Sequence, residues 1–183
     1  MSDIKFKSGD RFIFDVTPEG VVGGWGIVIG KGDDNTSLLI RDADPTLEVQ
    51  AFFPFPIPVS YGVGKKRFSI PDDAIPMGNT RIPEAVKLAL EGVYLGTSFD
   101  RQSWPDKRWR FDMGAAIKFD VISGIPNGFG IVIDADKAIV FVKTGGFYRA
   151  KKTDIPEDAE RLSGTKIPDD VQLALTAVFI ATD

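Results

Sequence analysis

A chain of 183 residues with 43% hydrophobic and 26% charged residues has the make-up of a globular protein, with length for one domain or two small ones. It contains no histidine and no cysteine, which removes Ser-His-Asp and Cys-His catalysis, imidazole- or thiolate-held metals and disulfides. The net charge of −4 divides into 10 basic and 13 acidic residues over 1–99, 4 and 2 over 100–110, and 8 and 11 over 111–183, so two acidic halves flank a basic joint.

In chain order, residues 11–16 read as an apolar strand in which Phe12, Phe14 and Val16 alternate with Ile13 and Asp15, ended by the turn Thr17-Pro18-Glu19-Gly20. A second strand is expected over 24–29 and a third over 37–41, separated by Gly30-Lys31-Gly32-Asp33-Asp34-Asn35. Short strands joined by glycine turns predict an antiparallel meander. Gly26 before Ile27-Val28-Ile29 marks a bulge or a close backbone approach, where a small sheet can curl. Ile70-Pro71 and Ile82-Pro83 then lead to a helix. Pro83 and Glu84 suit its first turn, and Val86, Leu90 and Val93 form an apolar stripe. Val93-Tyr94-Leu95 is β-prone, and a return from the helix to the sheet is expected there.

The remainder repeats this order. Phe111, Gly114 and Phe119-Asp120-Val121 follow Phe6, Gly9 and Phe14-Asp15-Val16 at an offset of 105, Gly130 follows Gly26 at 104, and Ile167-Pro168 follows Ile82-Pro83 at 85. Strands are expected at 116–121, 130–133 and 138–143, a turn at 123–128, and a helix carrying Val171, Leu175 and Val178. The expected fold is therefore mainly β with short helices: a tandem duplication of a small antiparallel SH3-like barrel, one helix per repeat. It divides into a first repeat at 1–99, a linker at 100–110 and a second repeat at 111–183. The falling offset places an insertion of about twenty residues at 44–64, aromatic and too rich in proline for a central strand or a regular helix.

Three groups are candidates for partner binding. Phe52, Phe53, Phe55 and Tyr61 of the insertion can form a rigid aromatic recognition surface, or a lid packed between the lobes. Trp104 and Trp109 interleave with Arg101, Lys107, Arg108 and Arg110 as in nucleic-acid contacts, and equally fit an interdomain linker. Asp33 and Asp34 lead a series of paired carboxylates that read as solvated turn aspartates, with no calcium-loop spacing completed. Trp25 joins these candidates from within Gly23-Gly24-Trp25-Gly26. The glycines there flank a strand instead of opening a helix, so they are not a nucleotide-phosphate loop. No catalytic residue, metal site or cofactor is expected.

The run Phe6-Lys7-Ser8-Gly9-Asp10-Arg11-Phe12, a turn and then Gly24-Trp25-Gly26-Ile27-Val28 resembles the opening of a family of bacterial immunity proteins that neutralise polymorphic toxins. That family's pattern is roughly Gly-Asp-x-Phe followed by Gly-x-Gly-x-Val. The second copy has Gly114-Ala115 in place of Gly-Asp and keeps Asn127-Gly128-Phe129-Gly130. About 25 residues of each repeat are covered, and SH3-like and KOW-type strands share these letters. The resemblance implies a cytosolic, non-catalytic inhibitor that occludes a toxin domain.

Combined with the acidic halves, the expectation is a protein-binding module with a basic partner. The alternative is a nucleic-acid- or translation-associated SH3/KOW-like protein acting through the basic joint, which an acidic body disfavours. No apolar run approaches the ~20 residues of a membrane span, and Met1-Ser2-Asp3-Ile4-Lys5 lacks a signal-peptide pattern, so a cytoplasmic location without membrane contact is expected.

Overall fold

The computed structural model describes residues 5–30, 36–42, 61–63, 68–97, 110–112, 114–163 and 166–182. The first half contains β1 (Arg11–Val16), β2 (Val22–Val28), β3 (Thr36–Asp42), β4 (Tyr61–Val63), β5 (Phe68–Ser69), β6 (Ile75–Pro76) and α1 (Glu84–Thr97). The second contains β7 (Ala116–Ile122), β8 (Ile125–Val132), β9 (Lys137–Thr144), β10 (Phe147–Asp154), β11 (Glu160–Arg161) and α2 (Asp169–Thr182). The protein is mainly β, with two antiparallel sheets in the orders β4-β3-β2-β1-β6 and β10-β9-β8-β7-β11; β5 also pairs with β3. In each sheet the first strand is held between the second strand and the last. Phe14 and Phe119 occupy these corresponding strands.

Alternation along the strands divides the apolar side chains between two faces of each sheet. In the first sheet Ile13, Trp25, Ile27, Leu38 and Ile40 face one cluster while Phe12, Phe14, Val28 and Leu39 face another. In the second, Phe129, Ile131, Ile139 and Phe141 join the first of these clusters, and Ile117, Val132, Ala138 and Val140 form a third. The common cluster also contains the buried faces of both helices, so sheet residues of both halves and the two helices share one core. Gly92 of α1 is placed against Val178 of α2 and Phe141 of β9, a contact that crosses from one half to the other.

Local chemistry explains the matched positions. Gly9 and Gly114 have φ of +90° and +81°, a backbone state costly for other residues, and their N–H groups donate to Val28 O and Val132 O at 2.8 Å each. Gly24 and Gly26 lie beneath the rings of Phe14 and Phe12, and Gly128 beneath that of Phe119; a Cβ at any of the three would stand 2.2 Å from a ring carbon. The close approach expected at Gly26 is thus made by the ring of Phe12. A Cβ at Gly130 would instead stand 3.0 Å from Ile139 O, close to the Val140 and Ile117 side chains.

Pro83 and Pro168 precede the helices, and their carbonyls accept from Lys87 N at 2.9 Å and Gln172 N at 3.0 Å. Val86, Leu90 and Val93, and likewise Val171, Leu175 and Val178, are fully buried. α2 is buried almost all round because residues 171–182 carry no charge, and its buried Thr176 hydroxyl donates to Gln172 O at 2.8 Å.

Three local expectations require correction. Val93-Tyr94-Leu95 and Val178-Phe179-Ile180 do not return to a sheet; both helices continue through them to Thr97 and Thr182, because burying Val93 and Val178 outweighs β propensity. The turn expected over 123–128 closes at Ser123-Gly124, whose φ values of 52° and 78° make a two-residue hairpin possible, and β8 begins at Ile125. The fourth strand of the second sheet, β10, is also additional to the sequence reading. Of the insertion expected at 44–64, residues 61–63 form the edge strand β4 beside β3, and residues 44–60 and 64 lie outside the described residues.

A candidate interaction surface at the bulged end of each sheet

Asp15 and Asp120 have φ of 51° and 52°, so β1 and β7 each break regular strand geometry one residue after the phenylalanine that covers a glycine. The freed backbone N–H groups are not wasted. Asp15 N donates to Asp73 Oδ2 and Asp120 N to Asp158 Oδ2, both at 2.7 Å. The carboxylates come from turns in which Ala74 N donates to Pro71 O and Ala159 N to Pro156 O, both at 3.0 Å. The result in each half is an exposed group of acids: Asp15, Asp72 and Asp73 on one sheet, Asp120, Glu157 and Asp158 on the other.

The two ends are finished differently. At the first, the Arg41 guanidinium lies 3.5 Å from Asp15 Oδ2 and 4.8 Å from the centre of the Phe14 ring. The turn there is longer, with Thr17 N donating to Val21 O at 2.9 Å and Val21 N to Thr17 Oγ1 at 3.1 Å. At the second, a neutral amide replaces the cation, Asn127 Nδ2 approaching Asp120 Oδ2 at 3.4 Å. The short hairpin beyond it presents Ile122 and Ile125 as a cross-strand pair, 61% and 69% exposed. These residues were missed in the sequence reading. Their signal is an isoleucine on each side of Ser123-Gly124, which a longer turn assignment conceals.

Of the candidates named from sequence, Trp25 is described and is only 5% exposed, packed in the common core between Ile13 and Ile40 in register. It contributes to the wall of an open cleft of about 560 Å³ between β2 and the start of α1, with Arg81, Ile82 and Glu84 on the other side. Tyr61 begins β4 opposite Asp42. Phe52, Phe53, Phe55, Asp33, Asp34, Trp104 and Trp109 lie outside the described residues. Arg110, the last residue of the basic joint, donates to Pro156 O at 3.0 Å and Ala159 O at 2.6 Å and lies 5.0 Å from the centre of the Phe111 ring. Its guanidinium therefore holds the turn that supplies Asp158.

A smaller cleft of about 190 Å³ separates α1 from β10 and is lined by Glu84, Leu88, Glu91 and Tyr148 among others. Partial burial raises the Tyr148 phenol above its ordinary range, and the nearby Asp170 carboxylate acts in the same direction. Lys137 is likewise raised, chiefly by its hydrogen bond to Asp154. No described helix is long and apolar enough to cross a membrane. Among the described residues, no cluster of three or more acidic, histidine or cysteine side chains has the arrangement of a metal site. No protein-family model matches the chain, and neither a search of curated proteins nor one of solved structures finds a match.

Proposed function

We propose that this protein is a non-catalytic, cytoplasmic binding module, an immunity-type inhibitor that occludes a basic toxin domain, built as a duplicated SH3-like unit. The observation that supports it most is the placement of acid. In an acidic chain, the carboxylates Asp15, Asp72, Asp73, Asp120, Glu157 and Asp158 stand exposed in the bulge and turn regions of two matched sheets. Such a surface raises the encounter rate with a cationic partner and repels nucleic-acid phosphate.

The motif behind the resemblance supports the SH3-like part of this reading, because its residues serve folding. Gly9 makes the turn, Asp10 Oδ2 accepts from Lys7 N at 2.7 Å, and Phe12 covers Gly26. The strand order, with the last strand beside the first, agrees with an SH3-like arrangement. The test is affinity capture from the native host, followed by kinetics with the captured protein. A basic toxin domain whose activity is blocked, with association slowing as salt rises, supports the proposal. Preferential capture of nucleic acid, or association insensitive to salt, rejects it.

A further inference from the structure

The hairpin between β7 and β8 ends in an apolar tip that the rest of the described chain leaves open. Ile122 and Ile125 are paired across the hairpin and are 61% and 69% exposed, with Val121 beside them at 40%. Directly opposed side chains on one face of an antiparallel pair touch, so the two isoleucines form one apolar surface. A two-residue turn with both residues at positive φ makes this surface a short, rigid projection. Presenting it costs little ordering entropy when something binds.

Charge around the tip selects what can bind. Asp120 is in β7 immediately before the exposed segment, and Asp158 is tied to its backbone at 2.7 Å. Glu157 is the neighbour of Asp158 in the same turn, and Glu160 lies opposite Lys118 at the β7–β11 edge. All four carboxylates are exposed. The corresponding end of the first sheet also exposes Val21, but there the Arg41 guanidinium lies against Asp15 and lowers the negative field, whereas Asp120 faces the neutral Asn127 amide. An anionic lipid surface would meet like charge at the tip, and a second copy of the chain could approach it only through the exposed basic residues of β9 and β10, a case that sedimentation distinguishes.

We propose that Ile122 and Ile125, with Asp120, Glu157, Asp158 and Glu160 following along β7 and its neighbouring turn, form the docking surface for a cationic protein segment carrying apolar side chains. This assignment rests on the inhibitor reading and names the surface through which it would act. The isoleucines seat in an apolar recess of the partner and control its departure, while the carboxylates pair with lysine or arginine at the rim and control its arrival.

The probe is a short peptide alternating lysine with leucine, titrated into isotopically labelled full-length protein at low salt. Its glutamate–leucine and lysine–glycine counterparts serve as controls. The expected result is backbone amide shifts concentrated at residues 120–126 and 157–160 with the first peptide, none with the second, and binding weaker by roughly tenfold or more with the third. Ile122→Ser with Ile125→Ser, both on exposed side chains, should weaken the lysine–leucine peptide by a similar factor while circular dichroism and thermal melting remain those of the parent. Glu157→Gln with Glu160→Gln should reduce its salt dependence.

The proposal is overturned by shifts centred elsewhere, by serine variants that bind within twofold of the parent, or by parent dimers in sedimentation that those variants dissolve. The outcome separates from that of the inhibitor reading. If a captured toxin binds the serine variants normally, this surface fails and the inhibitor reading stands. If the peptide maps to the tip while no toxin is captured, the surface stands and that reading fails.

Discussion

Replacing Gly92 by alanine sets two effects of opposite sign against each other, and the structure decides between them. Alanine in a helix interior is favoured over glycine by about 0.8–1.0 kcal/mol. The added methyl would stand 2.9 Å from Val178 Cγ2 and 3.0 Å from both Cε1 and Cζ of Phe141. Carbon atoms in contact prefer roughly 3.5–4.0 Å, so three atoms must give way by about half an ångström or more. Val178 and Phe141 are fully buried, leaving little room for them to move.

Overpacking of this kind costs about 1–3 kcal/mol, which leaves a net loss near 1 kcal/mol after the helix gain. For a protein of this size that corresponds to a melting temperature lower by about 2–4 °C. Urea unfolding followed by circular dichroism provides the assay, with an unchanged slope as the check that only stability moved. Val178→Ala supplies the control, because it removes the closest contacting methyl. Alone it should cost roughly 2 kcal/mol from lost burial and cavity formation, and with Gly92→Ala the two losses should sum to about 1 kcal/mol less than additivity predicts. A Gly92→Ala protein more stable than its parent, or strict additivity in the double variant, would refute the shared helix–helix–sheet core.

Gly24→Ala should destabilise more than Gly128→Ala in parallel urea titrations: both methyls meet a ring at 2.2 Å, but Phe14 is fully buried and Phe119 only partly so, and a cost of about 1–3 kcal/mol is expected at Gly24. Asp158→Ala should lower stability by about 1–2 kcal/mol by removing a charged acceptor from Asp120 N, whereas Asp120→Gly should be tolerated because glycine accepts the positive φ; equal losses would argue against the carboxylate clamp. Tyr148 has a folded pKa raised above its unfolded value of 10.0, so the associated stability is fully present below pH 10 and disappears as pH climbs through the folded value. Tyr148→Phe should flatten that part of the alkaline stability profile, and Lys137, raised in the same direction, supplies a remaining slope in the variant.

Sequence by itself determined what depends on near neighbours and repeated pattern. Period-two alternation in residues 11–16 specified a strand, proline followed by acid and an apolar stripe specified each helix start, and the two sets of letters placed Phe14 and Phe119 in corresponding strands. The missing histidine and cysteine narrowed the chemistry directly. Beyond these, local signals competed and tertiary contacts chose. The β-branched residues at the helix ends could have formed strand, and burial against the opposite helix and sheet kept them helical. Ser123-Gly124 was contained in a longer run of turn formers, and the positive φ at both positions shortened the turn and pushed Ile122 and Ile125 outward. Asp15 and Asp120 looked like ordinary strand residues; their left-handed backbone exists because Asp73 and Asp158, dozens of residues away, accept the hydrogen bonds that the strands give up. A linear pattern records which side chains favour water or oil, but which of them meet depends on long-range closure of the chain, and that closure is what assembled the shared core and the bulged ends.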